Sequence, residues 1–189
     1  MSPHLLLASK SPRRRQLLGE LDFPLDFVDI EVDEHVGRAV PAHEVAELTA
    51  LRKASAYTHP LKNDEVLVTA DTVVVHGGQV LGKPADRDEA LAMLRNLSGD
   101  VHQVYTGVCL RSARRNVSFT ECTHVHFRPL TPQEMEYYVD RYRPFDKAGA
   151  YGIQEWIGMI GISRIEGCYY NVMGLPMARL YEELKALVD

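Results

Sequence analysis

Asp71 is the residue whose type and position most clearly indicate chemistry. It lies within Glu65–Val75, a run that is otherwise rich in Val, Leu, Ala and Thr and that predicts a central strand. A carboxylate placed there costs several kcal/mol unless it is paired, hydrogen-bonded or bound to a metal. We therefore expect a catalytic or metal-binding role for Asp71, the alternative being a buried carboxylate that backbone amides satisfy.

Glu34 is a second acidic candidate. Apolar and acidic residues alternate from Phe27 to Asp33, which predicts a half-buried strand. The same alternation places Glu34 on the inward face. Glu34 and Asp71 together offer the hard oxygen ligands that Mg²⁺ prefers, with substrate phosphates completing its coordination.

A cationic segment, SKSPRRR at 9–15, follows a short buried strand predicted at Leu5–Ala8. Ser11 and Pro12 are typical of a helix start. Backbone amides, the helix dipole and guanidinium groups converge at such a start, which suits a phosphate. The alternative is a solvated basic helix end.

Two later residues are candidates for contact with a nucleotide. Lys83 belongs to GGQVLGKP at 77–84, which fits GxxxxGK, but Pro84 replaces the Ser or Thr that would ligate Mg²⁺, so we reject a Walker-type loop. Lys83 then either contacts phosphate or is simply exposed. Gln154 ends a glycine-bearing loop, and its amide offers both a donor and an acceptor to a base edge. The alternative is an ordinary loop.

The elements that must position these residues alternate between strands and helices, with hairpins interrupting the order. This pattern predicts an α/β or α+β fold with a mixed sheet. Beyond the strands already named, periodicity and capping signals predict helices at 44–57, 86–97, from 131 and from 176 to 187, strands at 102–111 and 117–127, a loop at 144–161 and a strand pair around 159–170.

Composition excludes several classes of protein. The chain has 189 residues, which suits a single domain spanning 1–189, and a net charge of −5, which argues against a nucleic-acid binder. No apolar run is long enough to cross a membrane. Three widely spaced cysteines in no metal pattern predict reduced thiols and a cytoplasmic protein.

Six short motifs are weak signals one by one, but their occurrence together and in this order is specific. They are LLLASKSPRRRQLL, TADTVVV, LGKP, LSGDVHQVYTGV, DKAGAYGIQ and YYNVMGLP. Over essentially the whole chain, they resemble the Maf family of nucleoside triphosphate pyrophosphatases. The resemblance implies a Maf/ITPase-like fold, an elongated mixed β-sheet flanked by helices with two lobes around a central cleft. It also implies a homodimer and hydrolysis of a nucleoside triphosphate to the monophosphate and pyrophosphate with Mg²⁺ or Mn²⁺.

The resemblance also assigns roles to residues of this chain. It implies a catalytic Asp71 in the ADT motif, with the acidic Glu34 beside it as a further catalytic and metal-binding residue. Lys53 and Lys83 match the phosphate-facing lysines of the family. The residues implied to bind the substrate are Ser9, Arg13, Arg14, Thr72 and Gln154.

Two of these residues indicate the subtype. Thr72 after the aspartate and Gln154 at the end of YGIQ resemble the branch that acts on dTTP and UTP. The chain departs from the family pattern at Glu155 and Trp156, where the resemblance implies a glycine-rich continuation. The alternatives are activity on 7-methyl-GTP or on modified pyrimidine triphosphates, or a nucleotide-binding regulator of cell division without hydrolysis.

Overall fold

One mixed sheet of seven strands organises the computed structural model, which describes residues 3–32 and 40–188. The strand order is β2-β1-β3-β5-β6-β7, with β4 paired to β3. β1 runs parallel to β2 and β3, whereas β4 and β7 are antiparallel to their partners, which confirms the predicted mixed α/β architecture. The strands are β1 (His4–Leu7), β2 (Leu25–Phe27), β3 (Glu65–His76), β4 (Gln79–Leu81), β5 (Val101–Arg111), β6 (Asn116–Phe127) and β7 (Ile162–Glu166).

Two helices begin at side-chain caps that the sequence indicates. Ser11 accepts a hydrogen bond from the Arg14 amide, and Thr131 forms a reciprocal capping box with Glu134. In the described ranges, no helix combines the length and the apolar character needed to cross a membrane. The helices are α1 (Pro12–Gly19), α2 (Ala42–Ala56), α3 (Arg87–Leu97), α4 (Pro132–Tyr142), α5 (Trp156–Gly161), α6 (Tyr169–Met173) and α7 (Met177–Val188), with a 3-10 helix at Ala148–Ala150.

The chain divides into two compact units. The first comprises Met1–Thr72, Thr106–Glu121 and Gly174–Asp189. Within it, α2 covers the first strands, and both elements contribute apolar side chains to one core. The buried members of this core are Leu6, Ala8, Ala50, Ala54, Leu67 and Cys109.

The second unit comprises Val73–Tyr105 and Cys122–Met173. One of its cores joins α3 and α4 to the segment that follows them. Leu91, Leu94 and Leu97 on α3 and Met135 and Tyr138 on α4 are all buried in it, as the helical spacing of their sequences predicts.

Two predicted segments differ from the structure. The strand predicted over 27–33 ends at Phe27, although residues 28–32 keep the expected alternation between half-buried and exposed side chains; Asp33 lies outside the described residues. The strand pair predicted around 159–170 is wrong, because α5 and α6 flank the single strand β7 there. The two glycines within α5 and the shortness of both helices explain why no helical period is visible.

Candidate active site

Asp71 is paired with an ammonium group inside the first unit. It lies in the middle of β3, and Lys53 Nζ on α2 donates to its Oδ1 at 3.0 Å. The two side chains are only 20% and 10% exposed. The carboxylate is thus held by a side-chain cation, while part of its surface still reaches solvent.

Gly107 explains how α2 comes close enough to present Lys53. A Cβ at Gly107 of β5 would lie 2.2 Å from the Glu47 nitrogen, so only glycine permits this packing. On the same helix, the Glu47 carboxylate accepts hydrogen bonds from the hydroxyls of Ser118 and Thr120, each at 2.7 Å. These contacts fix α2 over the sheet.

Arg14 forms hydrogen bonds with the residues on both sides of Asp71 in the strand. It is buried, and its Nε, Nη1 and Nη2 donate to the Gly174 carbonyl, the Ala70 carbonyl and Thr72 Oγ1, at 2.9, 3.0 and 2.9 Å. A guanidinium group presents these donors in a fixed plane, so one side chain sets the position of three groups. The substrate-binding role predicted for Arg14 stays a prediction, and the geometry adds a positioning role.

Thr72 is held by a second hydroxyl as well. Its Oγ1 lies 2.9 Å from Thr106 Oγ1 and also accepts from Arg14. The backbone of Gly174, whose φ is +122°, lies next to the side chains of Arg14 and Thr72. Together, these residues leave the side chain of Thr72 little freedom.

The predicted anion site occupies the start of α1. Ser9 Oγ accepts from the Ser11 amide at 3.2 Å, and Arg15 Nε donates to the Ser9 carbonyl at 3.1 Å. Arg13 is half-buried in the first turn. This is the cationic helix start that the sequence predicts, and its binding of phosphate stays a prediction.

The remaining predicted residues lie elsewhere. Lys83 is exposed just after β4, and Gln154 is half-buried before α5; both belong to the second unit. Glu34 lies outside the described residues. The structure therefore brings Arg14, Lys53, Asp71 and Thr72 together in one unit. The functional roles of all the predicted site residues, these four included, stay predictions.

A buried histidine supports the segment that carries Gln154. His102 on β5 is fully buried, and its Nε2 lies 2.7 Å from the Tyr151 hydroxyl. Burial lowers the pKa of His102 from 6.5 to about 3, and the nearby His76 adds to the shift. The ring is therefore neutral at physiological pH and acts as a hydrogen-bonding group.

Sequence reasoning missed three supporting residues, Thr106, Gly107 and Gly174. A signal was present for Gly107, because a glycine inside an otherwise apolar strand often marks the close approach of another backbone. No sequence pattern indicates that Thr106 and Gly174 meet Thr72 and Arg14, since those contacts join distant parts of the chain.

The donor set for a metal is sparse in the part of the chain that the structure describes. No three His, Cys, Asp or Glu residues within 3–32 and 40–188 are grouped so that they could hold an ion. Asp71 offers one carboxylate, of which Oδ1 accepts from Lys53. Mg²⁺ is often bound through one or two carboxylates with the rest of its shell from water and phosphates, so this donor set fits such an ion.

Comparison with known proteins places this sequence in a family. The family model described as Maf-like protein matches residues 4–187. A dTTP/UTP pyrophosphatase from Parabacteroides distasonis is 50% identical over 182 residues, covering 96% of this chain and 94% of that protein. One of the same name from Bacteroides thetaiotaomicron is 48% identical over 186 residues, covering 97% and 95%.

Similarity to this chain extends to more distant proteins. A dTTP/UTP pyrophosphatase from Christiangramia forsetii is 41% identical over 185 residues, covering 98% of this chain and 94% of that protein. A crystal structure of a Vibrio cholerae protein aligns with a TM-score of 0.45 at 11% identity, covering 98% of this chain and 99% of that protein. The family model and the identity to these relatives agree over nearly the whole sequence: the chain belongs to the Maf family.

Proposed function

We propose that this chain is a hydrolase that converts nucleoside triphosphates, chiefly dTTP and UTP, to the monophosphate and pyrophosphate. The relatives named dTTP/UTP pyrophosphatase, at 41–50% identity over nearly the whole chain, support the substrate class. The observation that carries the proposal is the pairing of Asp71 with Lys53 in the middle of an apolar strand. A binding protein without hydrolysis has no need of a carboxylate in so costly a position.

In this proposal, Asp71 acts on the attacking water. Its carboxylate orients or deprotonates a water for attack at the α-phosphorus, and the bond to the pyrophosphate oxygen breaks. Lys53 fixes the orientation of the carboxylate through the contact at 3.0 Å. Its ammonium group also offsets the negative charge that accumulates on the phosphates during the reaction.

We propose Asp71 as the ligand of a divalent metal, Mg²⁺ or Mn²⁺, with Glu34 as the second predicted ligand. When bound, such an ion would polarise phosphate oxygens and lower the pKa of a coordinated water. Asp71 then serves either as a ligand or as the base, and both roles require its carboxylate. Neither role survives replacement of that group by a neutral amide.

Cationic residues bind the triphosphate in this proposal. Arg13 and Ser9 at the start of α1 contact phosphate oxygens, and Lys83 offsets the charge of the departing pyrophosphate. Arg14 contributes positive charge to the same region while it holds Ala70 and Thr72 in place.

Base selection rests on Gln154 and Thr72 in this proposal. The amide of Gln154 can satisfy both O4 and N3–H of uracil or thymine, whereas cytosine presents the reverse pattern. Thr72 lies next to Asp71 in sequence, and its hydroxyl is already bonded to Arg14 and Thr106. It therefore supplies a fixed surface rather than a mobile donor.

We further propose that the protein is a cytoplasmic homodimer. Cys109, Cys122 and Cys168 form no disulfide with one another, which is consistent with a reducing compartment. The dimer and the single-domain assignment of residues 1–189 rest on the family resemblance and stay predictions.

The test is the release of pyrophosphate from a panel of triphosphates: dTTP, UTP, CTP, GTP and 7-methyl-GTP, each with Mg²⁺ and with EDTA. We expect the fastest release from dTTP and UTP and its loss with EDTA. In ¹⁸O-labelled water, the label should enter the monophosphate, because attack is at the α-phosphorus. Absence of pyrophosphate from every substrate would contradict hydrolysis, and label in the pyrophosphate would contradict the site of attack.

A further inference from the structure

The carboxylate of Glu155 joins two buried groups in the second unit. Its Oε2 accepts a hydrogen bond from the Tyr138 hydroxyl, and its Oε1 lies 3.2 Å from Lys147 Nζ. Tyr138 is fully buried and Lys147 is 7% exposed. An ammonium group this deeply buried requires anionic partners, and Glu155 and Asp146 supply them.

The same partners hold the backbone of the loop at 146–155. The Tyr138 hydroxyl accepts from the Gly152 amide at 3.0 Å while it donates to Glu155. The Glu155 amide in turn donates to the Gly152 carbonyl at 3.0 Å. Both ends of the segment that contains Gln154 are therefore tied to one carboxylate and one phenol.

This loop adopts a conformation that needs such support. Gly149 and Ala150 both have positive φ, +68° and +58°, and Ala150 is fully buried. A left-handed conformation is costly for a residue with a Cβ and persists where the surroundings enforce it. The Gly149 amide donates to the Gly82 carbonyl at 3.0 Å, and Tyr151 is bonded to His102. The loop is thus fixed from several sides in a strained form.

We propose that Glu155 is a positioning residue for base discrimination: by joining Tyr138 and Lys147, it holds the strained loop that presents Gln154. The inference rests on the proposed function, in which Gln154 reads the base. The proposal gives a role to Glu155, one of the two residues at which the chain departs from the glycine-rich pattern that the resemblance implies. Glu155 does not contact the substrate in this account, and its effect is transmitted through the loop.

A neutral amide cannot replace this carboxylate. If the amide oxygen of Glu155→Gln faces Tyr138, its NH₂ group faces the Lys147 ammonium, and the reverse orientation leaves the Tyr138 hydroxyl without its acceptor. One of the two buried bonds is lost in either case. Tyr138→Phe breaks the network from the other side, because it removes the acceptor of the Gly152 amide.

The first measurement is the ratio of kcat/KM for UTP to that for CTP. We expect Glu155→Gln and Tyr138→Phe each to lower this ratio by about tenfold, because a loosened Gln154 loses its fixed hydrogen-bonding pattern. The matched control is Glu166→Gln, which neutralises an ion-paired but more exposed glutamate of the same unit and should leave the ratio unchanged. In a Gln154→Ala background, Glu155→Gln should change the ratio by less than about twofold.

The second measurement is amide hydrogen exchange over 146–155 in the free protein. Glu155→Gln should speed exchange in this segment by about tenfold, and Glu166→Gln should not. Unchanged exchange would overturn the positioning role. Faster exchange with an unchanged UTP-to-CTP ratio, or an equal loss in the Gln154→Ala background, would overturn the link to base reading.

The wild type separates this inference from the function on which it rests. If the wild type shows no preference for UTP over CTP, base reading by Gln154 fails, and the inference fails with it. If the preference is present and the Glu155 and Tyr138 variants retain it, the proposed function stands and the inference alone is wrong.

Discussion

Gly107 and Glu47 are in direct backbone contact, since a Cβ on Gly107 would lie 2.2 Å from the Glu47 nitrogen. This contact joins β5 to α2, the helix that carries Lys53 to Asp71. The ion pair at the centre of the candidate site thus depends on the lack of a side chain at Gly107, which lies in a different strand from Asp71. The requirement for glycine at position 107 is therefore one of packing and not of chemistry.

Replacement of Gly107 by alanine is expected to displace α2. Because the clash is with backbone and not with a flexible side chain, the free energy of unfolding should fall by about 3 kcal/mol or more, as measured by urea denaturation. Turnover should fall as well, since Lys53 moves with the helix. The control is Gly82→Ala, where a Cβ meets nothing within 4 Å. Equal stability of the two variants would contradict this packing.

Substitution of Arg14 by lysine tests its positioning role. Lysine cannot reach the Gly174 carbonyl, the Ala70 carbonyl and Thr72 together, so buried acceptors lose their donors. We expect a loss of at least about 2 kcal/mol in the free energy of unfolding, together with reduced turnover. Arg15→Lys is the matched control, with an expected loss below about 1 kcal/mol because Arg15 contributes one carbonyl bond and a contact with Phe27. Arg14→Lys as stable as Arg15→Lys would refute the role.

The buried His102 predicts a specific pH dependence of stability. Its pKa is about 3 in the folded protein and about 6.5 in the unfolded chain, so the unfolded state alone takes up a proton below pH 6.5. Stability is therefore lost as the pH falls from about 6.5 toward 3. Between pH 7 and pH 5, this histidine should contribute a loss of about 2 kcal/mol.

Urea unfolding of the wild type and of His102→Gln at both pH values isolates this contribution. The wild type should lose about 2 kcal/mol more than the variant between pH 7 and pH 5. Contributions from the groups that both proteins share cancel in the comparison. A difference in stability between the two proteins that stays constant with pH would show that His102 is not kept neutral by burial.

Much of the fold follows from local signals. Thr131 and Glu134 form a capping box at the start of the helix predicted from 131, and Gly99 has the positive φ that is typical just after a helix end. The errors fall where the local signal is either misleading or weak. β2 ends at Phe27 although the alternation continues, and α5 begins at Trp156 after an N-cap residue, Glu155, that makes no side-chain capping hydrogen bond.

The candidate site could likewise be predicted from the sequence only in part. A carboxylate in an apolar strand is enough to single out Asp71, whereas Lys53 was identified only through the family resemblance. The network of Glu155, Tyr138 and Lys147 escaped prediction, because a loop glutamate and a tyrosine on the apolar face of α4 show no sequence relationship. Such contacts depend on tertiary packing, which residue spacing does not encode.

The most direct test of the account is pyrophosphate release from UTP by Asp71→Asn. The asparagine keeps the shape of the side chain but removes the negative charge, so turnover should fall about a hundredfold or more. Thermal unfolding should confirm that the variant is folded, and Asp140→Asn, which alters an exposed ion pair with Arg87, should retain wild-type turnover. Near-normal pyrophosphate release by a folded Asp71→Asn protein would contradict the central claim that this carboxylate carries the reaction.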